Sequence, residues 1–395
     1  MRKPRVVVTG FVGLFPFGGV AWDYAQYVLG FAALGWDAIY LEDTGAWPVY
    51  QSGELGVAST VAYVASAMEN FGLRDRWAYR DALSGECFGL SAAALADFCR
   101  TADVFLNVSC SATLREEYAA IPVRALLDTD PMFTQMQYLR GKSLSDGPTG
   151  MRHLIDDHTH HFTLGASIGS PSCRIPTLGL QWYPTRPPVV LKLWPVSDPP
   201  KEESYGYSTV MNWSVVPPVE FEDERWGQKD AEFVRFLGVP RRVPEIPVGL
   251  AVSHTPECPF PFDEVRTAGW TVRDSAACAG DARTYQDFIA ASRGEFSVAK
   301  QTYVKANTGW FSCRSTCYLA SGRPVITQDT TWSRSLPNGR GLIAFHDEES
   351  AVEALRSVES DPEAHAKAAR EIAREHFDSD RVLSEMVDYM GASAA

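Results

Sequence analysis

The sequence predicts an α/β protein of two domains, each a largely parallel sheet carrying helices. Three observations lead there. Short β-branched runs alternate with amphipathic stretches, the rhythm of β-α-β units. That rhythm lapses in a segment rich in His, Pro and aromatics, and restarts after residue 205. The chain has 395 residues, 45% hydrophobic and 22% charged. That is length enough for about two to three cores, and too apolar for a disordered or low-complexity chain.

The first strand is Arg5 to Gly10, a β-branched run closed by glycine. A Gly- and Phe-rich loop, Phe11 to Gly19, leads to a helix over Val20 to Leu34, with Val20, Tyr24, Tyr27, Val28 and Phe31 on one stripe. Gly35 ends it as a glycine just past a helix does, and Asp37 to Leu41 is the next strand, closed by Glu42 and Asp43. Such a unit implies parallel strands and a right-handed crossover. Helices follow at Thr60 to Phe71 and Ala92 to Cys99, strands at Val104 to Val108 and Val123 to Leu127. Asp128 to Trp194 reads as irregular, and Pro195 to Tyr205, with three prolines and four charges, as the interdomain linker.

Beyond it, strands are expected at Ser208–Trp213, Val248–Val252, Trp270–Arg273, Glu295–Val298, Pro324–Thr327 and Gly341–Phe345. Helices are expected at Asp230–Phe236, Ala282–Ala291, Ser315–Ala320, Glu348–His376 and Arg381–Tyr389. The domains are therefore drawn as 1–200 and 201–375, with 376–395 a C-terminal helix packing back on the first.

A formal net charge of −13 argues against a nucleic-acid or anionic-membrane binder, though a local basic site can still hold a phosphate. The eight cysteines are scattered, with only Cys313 and Cys317 close together, which fits free thiols in a reducing cytoplasm. No 18-residue apolar run predicts a membrane span. The basic N-terminus with Val6, Val7 and Val8 reads better as a buried strand than as a signal peptide.

Two places suit a phosphate. Gly18 and Gly19 stand between the first strand and first helix, where backbone can approach a ligand and free N–H groups await an anion; a tight strand-to-helix turn explains them equally well. The second is the stretch Gly309 to Ile326. A small-residue loop enters a short helix with Ser312, Arg314 and Ser315 at its start, and Arg314 offers a counter-charge to a diphosphate. Thr327 to Thr330 then lies at a strand's C-terminal end, where open α/β sheets bind ligands.

In the run from Asp156 to His161, three His and two Asp suggest zinc or nickel, a hydrogen-bonded loop, or a base on the acceptor side. Asp128 and Asp130 end the 123–127 strand and read either as cleft carboxylates or as a turn and cap.

These motifs resemble the GT-B glycosyltransferases. Ala320-Ser321-Gly322-Arg323-Pro324-Val325-Ile326 is similar to the end of their donor-site helix and the strand after it, Gly339-Arg340-Gly341-Leu342-Ile343 to their glycine-bearing entry into the next strand, and the Gly18-Gly19 loop with Trp36-Asp37-Ala38 to their start. The resemblance implies two Rossmann-like domains facing each other across a cleft. It implies a hexosyltransferase-like enzyme that moves a sugar from a nucleotide-diphosphate donor to an acceptor hydroxyl, with no metal required. The donor diphosphate would meet Ser312, Arg314, Ser315 and Lys229, with Lys300 a further cation and Asp329 and Thr330 near the sugar. Asp128 or His158 would be the acceptor base. The aromatic loop at Phe15 and Phe17 favours a small, apolar acceptor such as a natural product. A monomer or homodimer, binding no nucleic acid, is expected.

The chain also departs from the pattern. The two glutamates that many retaining members carry fall here on Gly309 and Cys317, and Asn307-Thr308 stands where many inverting members have His. Those departures keep two alternatives open: a degenerate binding protein of the same fold, and another nucleotide-sugar enzyme such as an epimerase.

Overall fold

The computed structural model describes residues 2–45, 56–141, 150–196, 205–214 and 218–391. Two compact units emerge. The first comprises residues 1–165, 176–190 and 379–395, the second 166–175 and 191–378. The chain thus passes into the second unit between Val190 and Leu191, ten residues before the domain boundary drawn from sequence. Most of the stretch read as a linker, 195–205, lies outside the described residues.

In the first unit the strands are β1 (Arg5–Thr9), β2 (Asp37–Glu42), β3 (Trp77–Arg80), β4 (Cys87–Gly89), β5 (Val104–Val108), β6 (Val123–Asp128), β7 (His160–Thr163) and β8 (Trp182–Pro184). Its helices are α1 (Gly18–Ala33), α2 (Gly56–Asn70), α3 (Ala92–Arg100), α4 (Glu116–Ala119), α5 (Phe133–Gly141) and α6 (Met151–Asp156). One sheet runs β4-β3-β2-β1-β5-β6-β7-β8, parallel except for the β3–β4 pair. The order reverses between β1 and β5, the switch point at which such sheets bind ligands. The segment 128–194, read as irregular, holds α5, α6, β7 and β8; its strands are only four and three residues long and carry no apolar alternation.

The second unit has strands β9 (Tyr207–Asn212), β10 (Val219–Phe221), β11 (Glu224–Trp226), β12 (Val248–Ser253), β13 (Thr271–Asp274), β14 (Gly294–Ser297), β15 (Val325–Gln328) and β16 (Leu342–Phe345). Its helices are α7 (Lys229–Phe233), α8 (Val239–Arg242), α9 (Phe262–Thr267), α10 (Ser275–Ala279), α11 (Ala282–Ala290), α12 (Gln301–Lys305), α13 (Cys313–Ala320), α14 (Glu348–Ser360) and α15 (Pro362–His376). The main sheet, β13-β12-β9-β14-β15-β16, is parallel throughout and switches between β9 and β14. Phe236, Trp270, Phe296 and Phe345 lie at the centre of its core. The single helix expected over 348–376 is two: Pro362 has no N–H to continue α14, and Asp361 caps α15 through its side chain to Ala364 N at 3.3 Å.

The last helix, α16 (Ser379–Met390), belongs to the first unit. It crosses α1 at Gly30, where an added Cβ would come within 2.5 Å of Leu383. Ser379 N donates to Val189 O at 3.0 Å.

Candidate functional site

The second unit gathers most of the proposed donor residues. Two helix starts, α7 and α12, are laced together. Gly227 O accepts from Thr302 N at 3.1 Å and Thr302 Oγ1 at 2.8 Å, and Gln228 O accepts from Gln301 N at 3.2 Å. This lacing places Lys229, the first residue of α7, beside Lys300, which caps α12 and lies 5.2 Å over the Tyr303 ring.

From α12 the chain turns through Asn307 (φ 50°) and Gly309 (φ 70°) into α13. A side chain at Gly309 would reach within 2.6 Å of Ser167 Oγ, so only glycine fits. Gly309 N donates to Thr330 O at 2.7 Å, and Thr330 Oγ1 donates back to Trp310 O at 2.7 Å. The turn after β15 also carries a β-branched residue at positive φ, Thr331 at 77°. Such strain concentrates where a fold builds a binding surface. Ser312 caps α13, its hydroxyl accepting from Arg314 N at 3.2 Å.

Lys229 is the outstanding group. It is 8% exposed and makes no hydrogen bond or ion pair with any described residue. Burial pushes its amine well below the usual lysine range, and Arg314 and Lys300 add to this against the opposing pull of Glu295. In the first turn of α13, Ser315 Oγ is buried with no hydrogen-bond partner among the described residues. A buried hydroxyl left unsatisfied is costly unless a ligand meets it.

Several expected roles are corrected. Arg314 is not free for a diphosphate. Its Nε meets Glu295 Oε1 at 2.6 Å, Nη1 donates to Val210 O at 2.8 Å, and Nη2 donates to Ser297 Oγ at 2.6 Å. Burial opposes its charge, but Glu295 outweighs that and holds it protonated. Arg314 therefore braces α13 against β9 and β14. The Asp329 carboxylate turns back on Ser333, accepting from its N at 3.2 Å and its Oγ at 2.6 Å. The Thr330 hydroxyl is spent on Trp310, as above.

In the first unit both proposed bases are walled in. Asp128 is wholly buried and accepts from Thr134 Oγ1 at 2.7 Å, Gln135 Nε2 at 2.9 Å and Thr163 Oγ1 at 3.0 Å. Burial raises its pKa, and those hydrogen bonds only partly offset the rise. His158 is buried too, its Nε2 3.2 Å from Asn107 Nδ2. Burial first, then His161 and Arg124, push its pKa down to about 3, so it is neutral and shut away from an acceptor. His161 Nε2 donates to Ile155 O at 2.8 Å. Among the described residues no group of three His, Cys, Asp or Glu is placed to hold a metal.

Gly18 and Gly19 open α1 in the first unit, with Phe17 as its uncapped N-terminal neighbour. The loop before them already has its anion. Glu42, fully buried at the end of β2, accepts from Gly13 N at 2.7 Å, Leu14 N at 2.8 Å and Tyr40 Oη at 2.7 Å. Sequence reasoning missed Glu42 and Glu295 alike. Glu42 closes an apolar strand together with Asp43, and Glu295 lies within a short buried strand beside Phe296.

A family described as glycosyl transferase-like matches residues 242–388. No curated protein matches the chain. Among solved structures, an α-glucosyltransferase in complex with UDP is 12% identical, with a TM-score of 0.58 over 98% of this chain and 99% of that one. The Anabaena protein HepE, also in complex with UDP, is 9% identical with a TM-score of 0.54, over 99% and 100% of the two chains. AviGT4, a glycosyltransferase of avilamycin A biosynthesis, is 14% identical with a TM-score of 0.51, over 98% and 97%. This chain has the fold of these glycosyltransferases, and within it residues 242–388 match the glycosyl transferase-like family.

Proposed function

We propose that the protein transfers a hexose from a nucleoside-diphosphate donor to an acceptor hydroxyl, and that its second unit holds the donor diphosphate. The observation that carries this reading is Lys229, a buried lysine that makes no hydrogen bond or ion pair with any described residue and feels the charge of Arg314 at the start of α13. A diphosphate would supply its missing counter-charge. Ser312 and Ser315 would offer hydroxyls, with Lys300 as the outer cation. Stabilising the departing diphosphate in this way lowers the barrier where charge develops. The UDP present in the α-glucosyltransferase and HepE structures supports UDP as the first donor nucleotide to test.

The acceptor proton needs a taker other than Asp128 or His158. The reading in which the leaving phosphate oxygen accepts it asks nothing of either residue. A small acceptor, such as a natural product, is supported by the avilamycin relative alone. The α-glucosyltransferase is also known with a 13-mer DNA, but a net charge of −13 weighs against a DNA acceptor here.

A thermal-shift panel of UDP, dTDP, GDP and ADP tests the site. A bound nucleotide at about a hundredfold excess over its Kd adds about 2.7 kcal/mol. One nucleotide should stabilise the protein, and Lys229→Met should abolish the shift. Sugar release from the matching nucleotide sugar then separates a transferase from a binding protein. Epimerised donor without transfer would support the epimerase reading instead.

A further inference from the structure

We infer that residues 166–175 form a strap that positions the donor loops of the second unit, with Ser167 as its positioning residue at the approach to α13. The inference rests on the donor reading above and adds to it an element outside the stretch that matches the glycosyl transferase-like family. That stretch, 242–388, contains Asn307, Gly309 and Thr331 but not the strap. The chain leaves the first unit after Gly165 and rejoins it at Pro176, and between them it belongs to the second. Its sequence builds two successive turns. Gly169, at φ 78°, fills the third position of the first, which Ser170 N closes by donating to Ser167 O at 3.0 Å. Pro171 fills the second position of the next, which Cys173 N closes by donating to Ser170 O at 3.1 Å.

The strap is fastened where the donor loops are strained. Asn307 at φ 50° and Thr331 at φ 77° are non-glycine residues in the left-handed region, and Gly309 lies there too. Such residues persist only where their surroundings hold them. Asn307 Nδ2 donates to Ser172 O at 3.0 Å. The Thr331 hydroxyl donates to Asn307 O at 3.2 Å, so the Ser167 hydroxyl is the donor in its 2.8 Å bond to Thr331 Oγ1. Ser167 N donates to Thr308 O at 3.0 Å, and Arg174 N donates to Ala306 O at 2.8 Å. At the far end of the strap, the Arg174 side chain pairs with Glu224 and lies 4.8 Å over the Trp226 ring, both in the β11 strand that leads to Lys229.

Residues 307–309 set the direction in which the chain enters α13 with Ser312 and Ser315, and Thr331 lies in the turn that follows β15. The hydroxyl relay from Ser167 to Thr331 to Asn307 ties both loops to one point on the strap. Ser167 itself touches no ligand; it acts by holding Thr331 where a β-branched residue is strained. Glycine takes φ 77° without that strain. In a Thr331→Gly background the turn therefore no longer needs the Ser167 hydroxyl, and the effect of removing it must disappear.

Titration calorimetry on the full chain tests this. The probe is UDP, or whichever of dTDP, GDP and ADP stabilises the wild type. Ser167→Ala should raise the Kd roughly two- to tenfold, the worth of one lost hydrogen bond. In the Thr331→Gly background the same change should raise it by less than about twofold. A residue of merely structural role lowers the melting temperature and leaves the Kd unchanged. That result, or an equal loss of affinity in both backgrounds, overturns the inference and leaves the donor reading standing. Failure of all four nucleotides to bind the wild type removes the donor reading and the inference together. Should a variant not fold, amide exchange of the wild type decides alone. Coupling is reciprocal, so bound nucleotide should slow exchange at the Ser167 and Arg174 amides, and unchanged exchange at both overturns the inference.

Discussion

Arg314→Met removes the guanidinium that joins α13 to β14 and β9. Three hydrogen bonds go with it, at 2.6, 2.8 and 2.6 Å. The larger loss is electrostatic. Glu295 is wholly buried and its Oε2 already lacks a donor, so without Arg314 neither of its oxygens has a partner. Removing one member of a buried pair costs about 3–5 kcal/mol, because the other is left charged in a poor solvent. Removing both is cheap by comparison, so Arg314→Met with Glu295→Met should recover most of the loss. Urea unfolding of the full chain, followed by tryptophan fluorescence, measures each difference.

A cost under about 1 kcal/mol for the single variant, or a double variant no better than the single one, would refute this account of the pair.

Other outcomes follow from the same reasoning. Burial raises Glu42 to about 7, against the hydrogen bonds from Gly13, Tyr40 and Leu14 that lower it. The folded state then binds more protons than the unfolded one, and stability is lost as pH rises from about 4.5 to 7. Glu42→Gln should remove up to about 3 kcal/mol of that slope, read as urea midpoints at pH 5 and pH 8. Asp128→Asn and His158→Ala, assayed at saturating donor, should lower the melting temperature and keep turnover within about threefold, where loss of a true base costs roughly 10²–10⁴. Gly206 sits at φ 69°, and a Cβ there would come 2.2 Å from Pro247 O. Gly206→Ala should therefore destabilise the entry to β9 by more than about 1 kcal/mol, seen as a lower melting temperature.

Much of the fold was legible because its parallel strands are buried runs that announce themselves. Val6-Val7-Val8 and Val325-Ile326 are examples, and both are buried in strands flanked by neighbours on each side. The β7 and β8 strands were not legible, since His160 to Thr163 is a strand only through its pairing with β6 and β8. Similarly, the break at Asp361-Pro362 was written in the sequence but outweighed by the helical stripe on either side.

For the site, position was readable and commitment was not. Ser312, Arg314 and Asp329 do lie where the strand–loop–helix pattern put them. Whether a charged side chain faces a ligand or a buried partner depends on residues distant in sequence. Glu295, 19 positions from Arg314, decides the one case, and Asn107, 51 positions from His158, shapes the other. Lys229 was reached only through the resemblance, and no local pattern marks a lysine as buried without a partner.

The return of α16 to α1 has a consequence for how the protein is made. On a ribosome the second unit has all its residues once Asp378 has emerged, whereas the first still lacks the helix that fills the groove at Gly30. The unit synthesised first is thus the last to be complete, and until then it presents an open apolar seam along α1. A fragment ending at residue 190 would keep that seam permanently, so the N-terminal unit should be insoluble when expressed alone and recover when residues 379–391 are supplied as a separate peptide.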